Sequence, residues 1–93
     1  MTASKFSAEL TSIVTDKLQI SPDECVDVIV FLEEDAILEK VIAELEAKGL
    51  RIRTVNEGPD VLIKGSIEVE RLLELNAVAE VYRIEYNRSI EAK

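Results

Sequence analysis

The residues best equipped for chemistry in this chain are three consecutive acids, Glu33-Glu34-Asp35, and one thiol, Cys25. A carboxylate pair is enough for general acid–base work, one group donating a proton and the other accepting it. These acids, however, directly precede an apolar-periodic segment, where carboxylates complement the positive end of a helix dipole. Cys25 would need a base or a neighbouring cation to become a nucleophile, and the chain contains no histidine. The commonest metal ligand and general base is therefore missing. No group of residues has metal-ligand spacing, and no glycine-rich stretch would cradle a phosphate. One cysteine excludes an intramolecular disulfide, and a cysteine just before an apolar run reads as a small buried hydrophobe. The expectation is a non-catalytic chain without metal or cofactor, whose business is binding.

Composition narrows the partner. Ninety-three residues make one domain, and 47% apolar residues supply a core. With two Phe and two Tyr in all, that core must be Val, Ile, Leu and Ala. Nineteen acids against eleven bases give a net charge of −8, which repels phosphate backbones and anionic membranes. Arg51 and Arg53 are the one close basic pair of note, too little for a nucleic-acid patch. The charge implies a basic or neutral protein partner, or serves only to keep a small protein in solution. No nucleic acid and no membrane are expected. The opening Met1-Thr2-Ala3-Ser4-Lys5-Phe6 has no apolar run of signal-peptide length, and no segment is long enough to span a bilayer. The chain as given reads as cytoplasmic.

The elements that would carry a binding surface follow from periodicity. Phe6, Leu10, Ile13, Val14 and Leu18 fall at helical spacing and predict an amphipathic helix over residues 5–19. Ser21-Pro22-Asp23-Glu24 is a turn, or opens a single helical turn. Residues 26–32 are β-branched and apolar on both faces, a strand covered at least partly on both sides. Asp35 is the expected N-cap of a helix with the stripe Ile37, Leu38, Val41, Ile42 and Leu45, ended by Gly49 in a left-handed cap. Residues 50–55 alternate as a half-exposed strand, with Arg51 and Arg53 on one face and Leu50, Ile52 and Thr54 on the other. Asn56-Glu57-Gly58-Pro59-Asp60 is a hairpin connection. Residues 61–64 return as a third strand, broken by Gly65-Ser66, and Ser66 would cap a helix to about residue 75 with Val69, Leu72 and Leu73 inward. A last strand covers residues 79–86.

After an N-terminal helix (residues 1–20), the order β-α-β-β-α-β over residues 21–93 predicts an α+β fold. Two βαβ crossovers joined by a hairpin give a ferredoxin-like plait, a four-stranded antiparallel sheet with two helices on one face. The first and third strands would be central. The helix-free face would present Ile29 and Phe31, joined by Leu62 in the right register. Such a patch needs a cover: the N-terminal helix through Phe6, Leu10 and Ile13, a second copy of the chain, or another protein.

The stretch Val81-x-x-Ile84-Glu85-x-Asn87-x-x-Ile90 resembles the closing strand of subtilisin propeptides and the small inhibitors related to them. The strand Val28-Ile29-Val30-Phe31-Leu32 resembles the family's opening strand, and Lys48-Gly49-Leu50 matches its helix-to-strand junction. The resemblance covers residues 26–90 and implies the same plait. It further implies a chaperone or inhibitor of a subtilisin-like serine protease. The sheet face, with Ile29 and Phe31, would dock on the enzyme. The tail, from Glu85 and Asn87 through Arg88, Ser89, Ile90, Glu91, Ala92 and Lys93, would enter the substrate cleft like a product. No protease domain follows in this sequence, so a free-standing form is expected.

Two other readings stay open. Residues 28–52, ending Leu45-x-x-x-Gly49-Leu50-x-Ile52, also resemble an ACT-like regulatory domain that dimerises and binds a small ligand. The turn after its first strand would be Glu33-Glu34-Asp35-Ala36, whose acids repel a ligand carboxylate and which lacks a glycine for close backbone approach. A structural homo-oligomer, at its simplest a homodimer, is the other.

Overall fold

The computed structural model of the chain describes residues 5–58 and 61–87. It is an α+β arrangement of one four-stranded antiparallel sheet with three helices and a 3-10 turn. In chain order these are α1 (Ala8–Ile20), β1 (Cys25–Leu32), α2 (Leu38–Ala47), β2 (Arg51–Asn56), β3 (Leu62–Glu68), α3 (Val69–Leu72), the 3-10 turn Leu73–Ala77, and β4 (Val81–Tyr86). The strands lie in the order β2-β3-β1-β4, so β1 and β3 are central as their apolar content requires.

Alternation along the strands sorts the side chains. Val26, Val28, Val30 and Leu32 of β1 are buried, with Ile63 and Ile67 of β3 beside them. The same core takes Leu10 and Val14 from α1, Val41 and Leu45 from α2, and Val69 and Leu72 from α3. No polar or charged side chain among the described residues is buried, so this core is held by apolar contact alone.

The N-terminal helix begins later than its apolar spacing predicts. Ser7 is the N-cap, its hydroxyl accepting from the Leu10 N–H at 3.2 Å. Residues 5–7 are instead extended along the outer edge of β4. Ile84 N–H donates to the Lys5 carbonyl (2.8 Å), and Ser7 N–H donates to the Ile84 carbonyl (2.9 Å). Phe6 forms a parallel bridge with Ile84. This short pairing blocks one sheet edge from adding a strand.

Several further expectations are corrected. Asp35 is not the cap of α2: residues 33–36 form a turn closed by the Ala36 N–H to the Glu33 carbonyl, and the helix starts at Leu38 behind an exposed Ile37. The other end of α2 is as predicted. Gly49 has φ +107°, the Leu50 N–H reaches the Leu45 carbonyl, and the Gly49 N–H reaches that of Glu46. Paired bonds of this kind close a helix C-terminus, and Leu45 and Leu50 are buried together beneath them.

Gly65-Ser66 does not break β3, which runs on to Glu68. A Cβ on Gly65 would lie 2.4 Å from the Arg51 carbonyl oxygen, so glycine is what lets β2 approach. Consequently Ser66 caps nothing. The first N–H groups of α3 donate to the turn before β1, Val69 to the Glu24 carbonyl and Glu70 to the Pro22 carbonyl.

Beyond Leu72 the helix tightens to 3-10. Buried residues then recur every third position, at Val69, Leu72, Leu75 and Val78, while Leu73 turns outward at 51% exposure. Cys25 is likewise exposed rather than buried, because β1 starts with it on the face opposite the core.

Candidate functional site

The face of the sheet opposite the core is set by register. Reading across β2, β3, β1 and β4, one row is Thr54, Lys64, Ile29 and Glu85, and the next is Asn56, Leu62, Phe31 and Arg83. Before them come Arg51, Ser66 and Asp27, with the Asn87 N–H donating to the Asp27 carbonyl at 2.9 Å. None of Ile29, Phe31 and Leu62 belongs to the core cluster or packs against it.

Irregular backbone shapes this face at both sides. In β4 the register slips between Phe31 and Leu32, leaving Tyr82 as an extra residue. The Tyr82 ring stands 6.2 Å from that of Phe31, tilted by 53°, within the range of a favourable aromatic pair. In β2 the slip between Ile52 and Thr54 makes Arg53 the extra residue. Arg53 therefore joins Arg51 and Thr54 at the open face, where strict alternation would have put Thr54 with Ile52.

The N-terminal helix does not cover this patch, as one expectation had it. Leu10 is in the core on the other side of the sheet, and Phe6 and Ile13 pack against that core. Ile29, Phe31 and Leu62 are left as a partly exposed apolar group on the two central strands, with the exposed Tyr82 beside Phe31 on β4.

Around that group the charges are organised. Arg53 Nη2 donates to Asp27 Oδ1 at 2.9 Å, and Arg83 Nε forms an ion pair with Glu85 Oε2 at 2.6 Å. At the far end of β3, Glu68 is held by Arg71 at 3.5 Å. Arg51 and Lys64 have no carboxylate partner among the described residues.

Of the residues singled out from the sequence, Ile29, Phe31, Glu85 and Asn87 are brought together, Ile29 directly opposite Glu85. Arg88, Ser89, Ile90, Glu91, Ala92 and Lys93 lie outside the described residues, as do Pro59 and Asp60 of the hairpin. Tyr82, Lys64 and Arg83 escaped the sequence reading. A bulge cannot be seen in periodicity, and single bases on separate strands carry no local signal.

Glu33, Glu34 and Asp35 are exposed on their turn. No group of three or more His, Cys, Asp or Glu among the described residues has the arrangement of a metal site. No helix among them is long and apolar enough to cross a membrane. The chain matches no family model, no curated protein and no solved structure.

Proposed function

We propose that the chain is a non-catalytic protein-binding module of ferredoxin-like βαββαβ fold, with α2 and α3 on one sheet face and a partner on the other. In this reading it acts as a propeptide-like inhibitor or folding chaperone of a subtilisin-like serine protease. The observation that carries it is the group Ile29, Phe31 and Leu62 on the two central strands, joined by Tyr82 of β4, on a sheet face that contributes nothing to the core. The strand order β2-β3-β1-β4 is the order such a plait has, which supports the fold assignment. Support for the protease as partner is the resemblance of the β4 segment and its continuation, Ile84-Glu85-x-Asn87, to the closing strand of that family. The tail from Arg88 to Lys93 would occupy the cleft while the sheet face docks.

The test is inhibition of a panel of subtilisin-like proteases by the intact chain, by the chain ended after Tyr86, and by Ile29→Asp. Tight inhibition by the intact chain, lost on truncation and weakened by Ile29→Asp, is the expected result. A chain that inhibits none of the panel while resisting cleavage by them overturns the protease as partner.

A further inference from the structure

The charge of the whole chain and the charge of its open face have opposite sign. Among the described residues, four cations meet three carboxylates there: Arg51, Arg53, Lys64 and Arg83 against Asp27, Glu68 and Glu85, with Arg71 reaching Glu68 from α3. Each carboxylate is already held by an arginine, at 2.9 Å, 3.5 Å and 2.6 Å respectively. The surplus is Arg51 and Lys64, in a chain of net charge −8. Lys64 sits beside Ile29 in the β3–β1 register, and Arg51 opposite Ser66. Lys40 and Lys48, on and just after α2, likewise have no carboxylate partner among the described residues, but Arg51 and Lys64 share the sheet face that carries the apolar group.

From this we infer that the surface docking on the open face is acidic: an apolar centre bordered by carboxylates that meet Arg51 and Lys64. The inference rests on the reading of this face as a docking surface and adds the chemistry of what docks. Net charge alone had implied a basic or neutral partner; the local field, which a partner feels within a Debye length of contact, reverses that.

Two other occupants are less suited. A second copy stacked face to face would bring two sets of surplus cations together around the shared apolar centre, and like charges juxtaposed at an interface are costly. A single-stranded nucleic acid would find two aromatic rings, Phe31 and Tyr82, to stack on. It would find only Arg51 and Lys64 free for its phosphates, and a net charge of −8 opposing its approach. A protein surface with a few carboxylates around an apolar centre needs no more than the face offers.

The full-length chain, isotopically labelled and kept reduced because Cys25 is exposed, is titrated with three probes while backbone amide shifts are followed. The probes are an amphipathic leucine–glutamate helical peptide, its leucine–lysine counterpart and oligothymidylate. The expected result is that the leucine–glutamate peptide shifts the amides of Ile29, Phe31, Arg51 and Lys64 selectively. The double variant Arg51→Glu/Lys64→Glu, its fold verified by unchanged shifts of Val28 and Val30, should weaken that binding about tenfold or more.

Stronger perturbation of the face by the lysine peptide or by oligothymidylate overturns the inference. So does concentration-dependent perturbation of the face without any probe, which identifies a second copy as its cover. A face perturbed by no probe overturns it as well. The protease panel separates this from the reading beneath it. Inhibition kept at full strength by Arg51→Glu/Lys64→Glu but lost in Ile29→Asp overturns the charge preference and leaves the docking face standing.

Discussion

Alternate residues of β1 belong to two different surfaces. Val26, Val28, Val30 and Leu32 are between 0% and 5% exposed, and their neighbours are the apolar side chains of three helices. Asp27, Ile29 and Phe31, one position along, are partly exposed, with an ion pair, a lysine and a tyrosine ring around them. The covered face is uniform in chemistry and close-packed, so each of its residues is fixed by volume. The open face mixes apolar centre and ionic border. Such a face stays solvated alone and can still bury area against a partner. One strand serves both because its side-chain period is two.

The largest predicted effect sets the two faces against each other directly. Val30→Asp places a carboxylate where no polar partner exists and should cost more than about 4 kcal/mol, enough to unfold a domain of ordinary stability. Ile29→Asp, its immediate neighbour, should cost about 1 kcal/mol or less. Urea denaturation followed by circular dichroism gives both numbers. Comparable losses in the two variants would mean that the open face is covered in the free protein, and the contrast would collapse.

Two glycines sharpen how little the covered side tolerates. Gly65→Ala forces a Cβ to within 2.4 Å of the Arg51 carbonyl. Backbone cannot swing aside as a side chain can, so β2 must shift, at an expected cost of about 1–3 kcal/mol. Gly49→Ala meets the side chain of Arg71, nearest at Cδ, 2.8 Å away, the flexible part of a side chain. Its cost comes from φ +107° and should be smaller, about 1–2 kcal/mol. The midpoints of the same urea curves rank the two; a reversed order would mean that β2 yields more easily than the cap of α2.

The two faces were not equally legible in the sequence. The covered face follows from β-branched alternation in β1 and the stripe of α2, and Gly49 marks its own cap. Errors arose where local chemistry competes with tertiary supply. Ser66 and Asp35 are good caps, but α3 takes its acceptors from the Glu24 and Pro22 carbonyls, and α2 starts uncapped. Leu73 faces outward because the chain winds at three residues per turn where helical periodicity implies 3.6. The open face was half legible. Ile29 and Phe31 follow from alternation, but Arg51, Lys64 and Arg83 lie on three strands, and only the register of the folded sheet assembles them.

The smallest effect on stability is the most informative about the open face. Asp27→Asn removes the partner of Arg53 in a pair whose side chains are 43% and 62% exposed. Exposed pairs contribute little, so unfolding free energy should change by less than about 0.5 kcal/mol. The same change frees a third cation beside Arg51 and Lys64. Affinity for the leucine–glutamate peptide should therefore rise, and most at low ionic strength, where screening is weakest. Its sign is opposite to that of Arg51→Glu/Lys64→Glu, although both sets of residues lie at one end of one sheet face. A mere loss of surface order would weaken binding in both variants. Only a face that selects by charge moves the two in opposite directions while leaving Val28, Val30 and the rest of the covered face as they were.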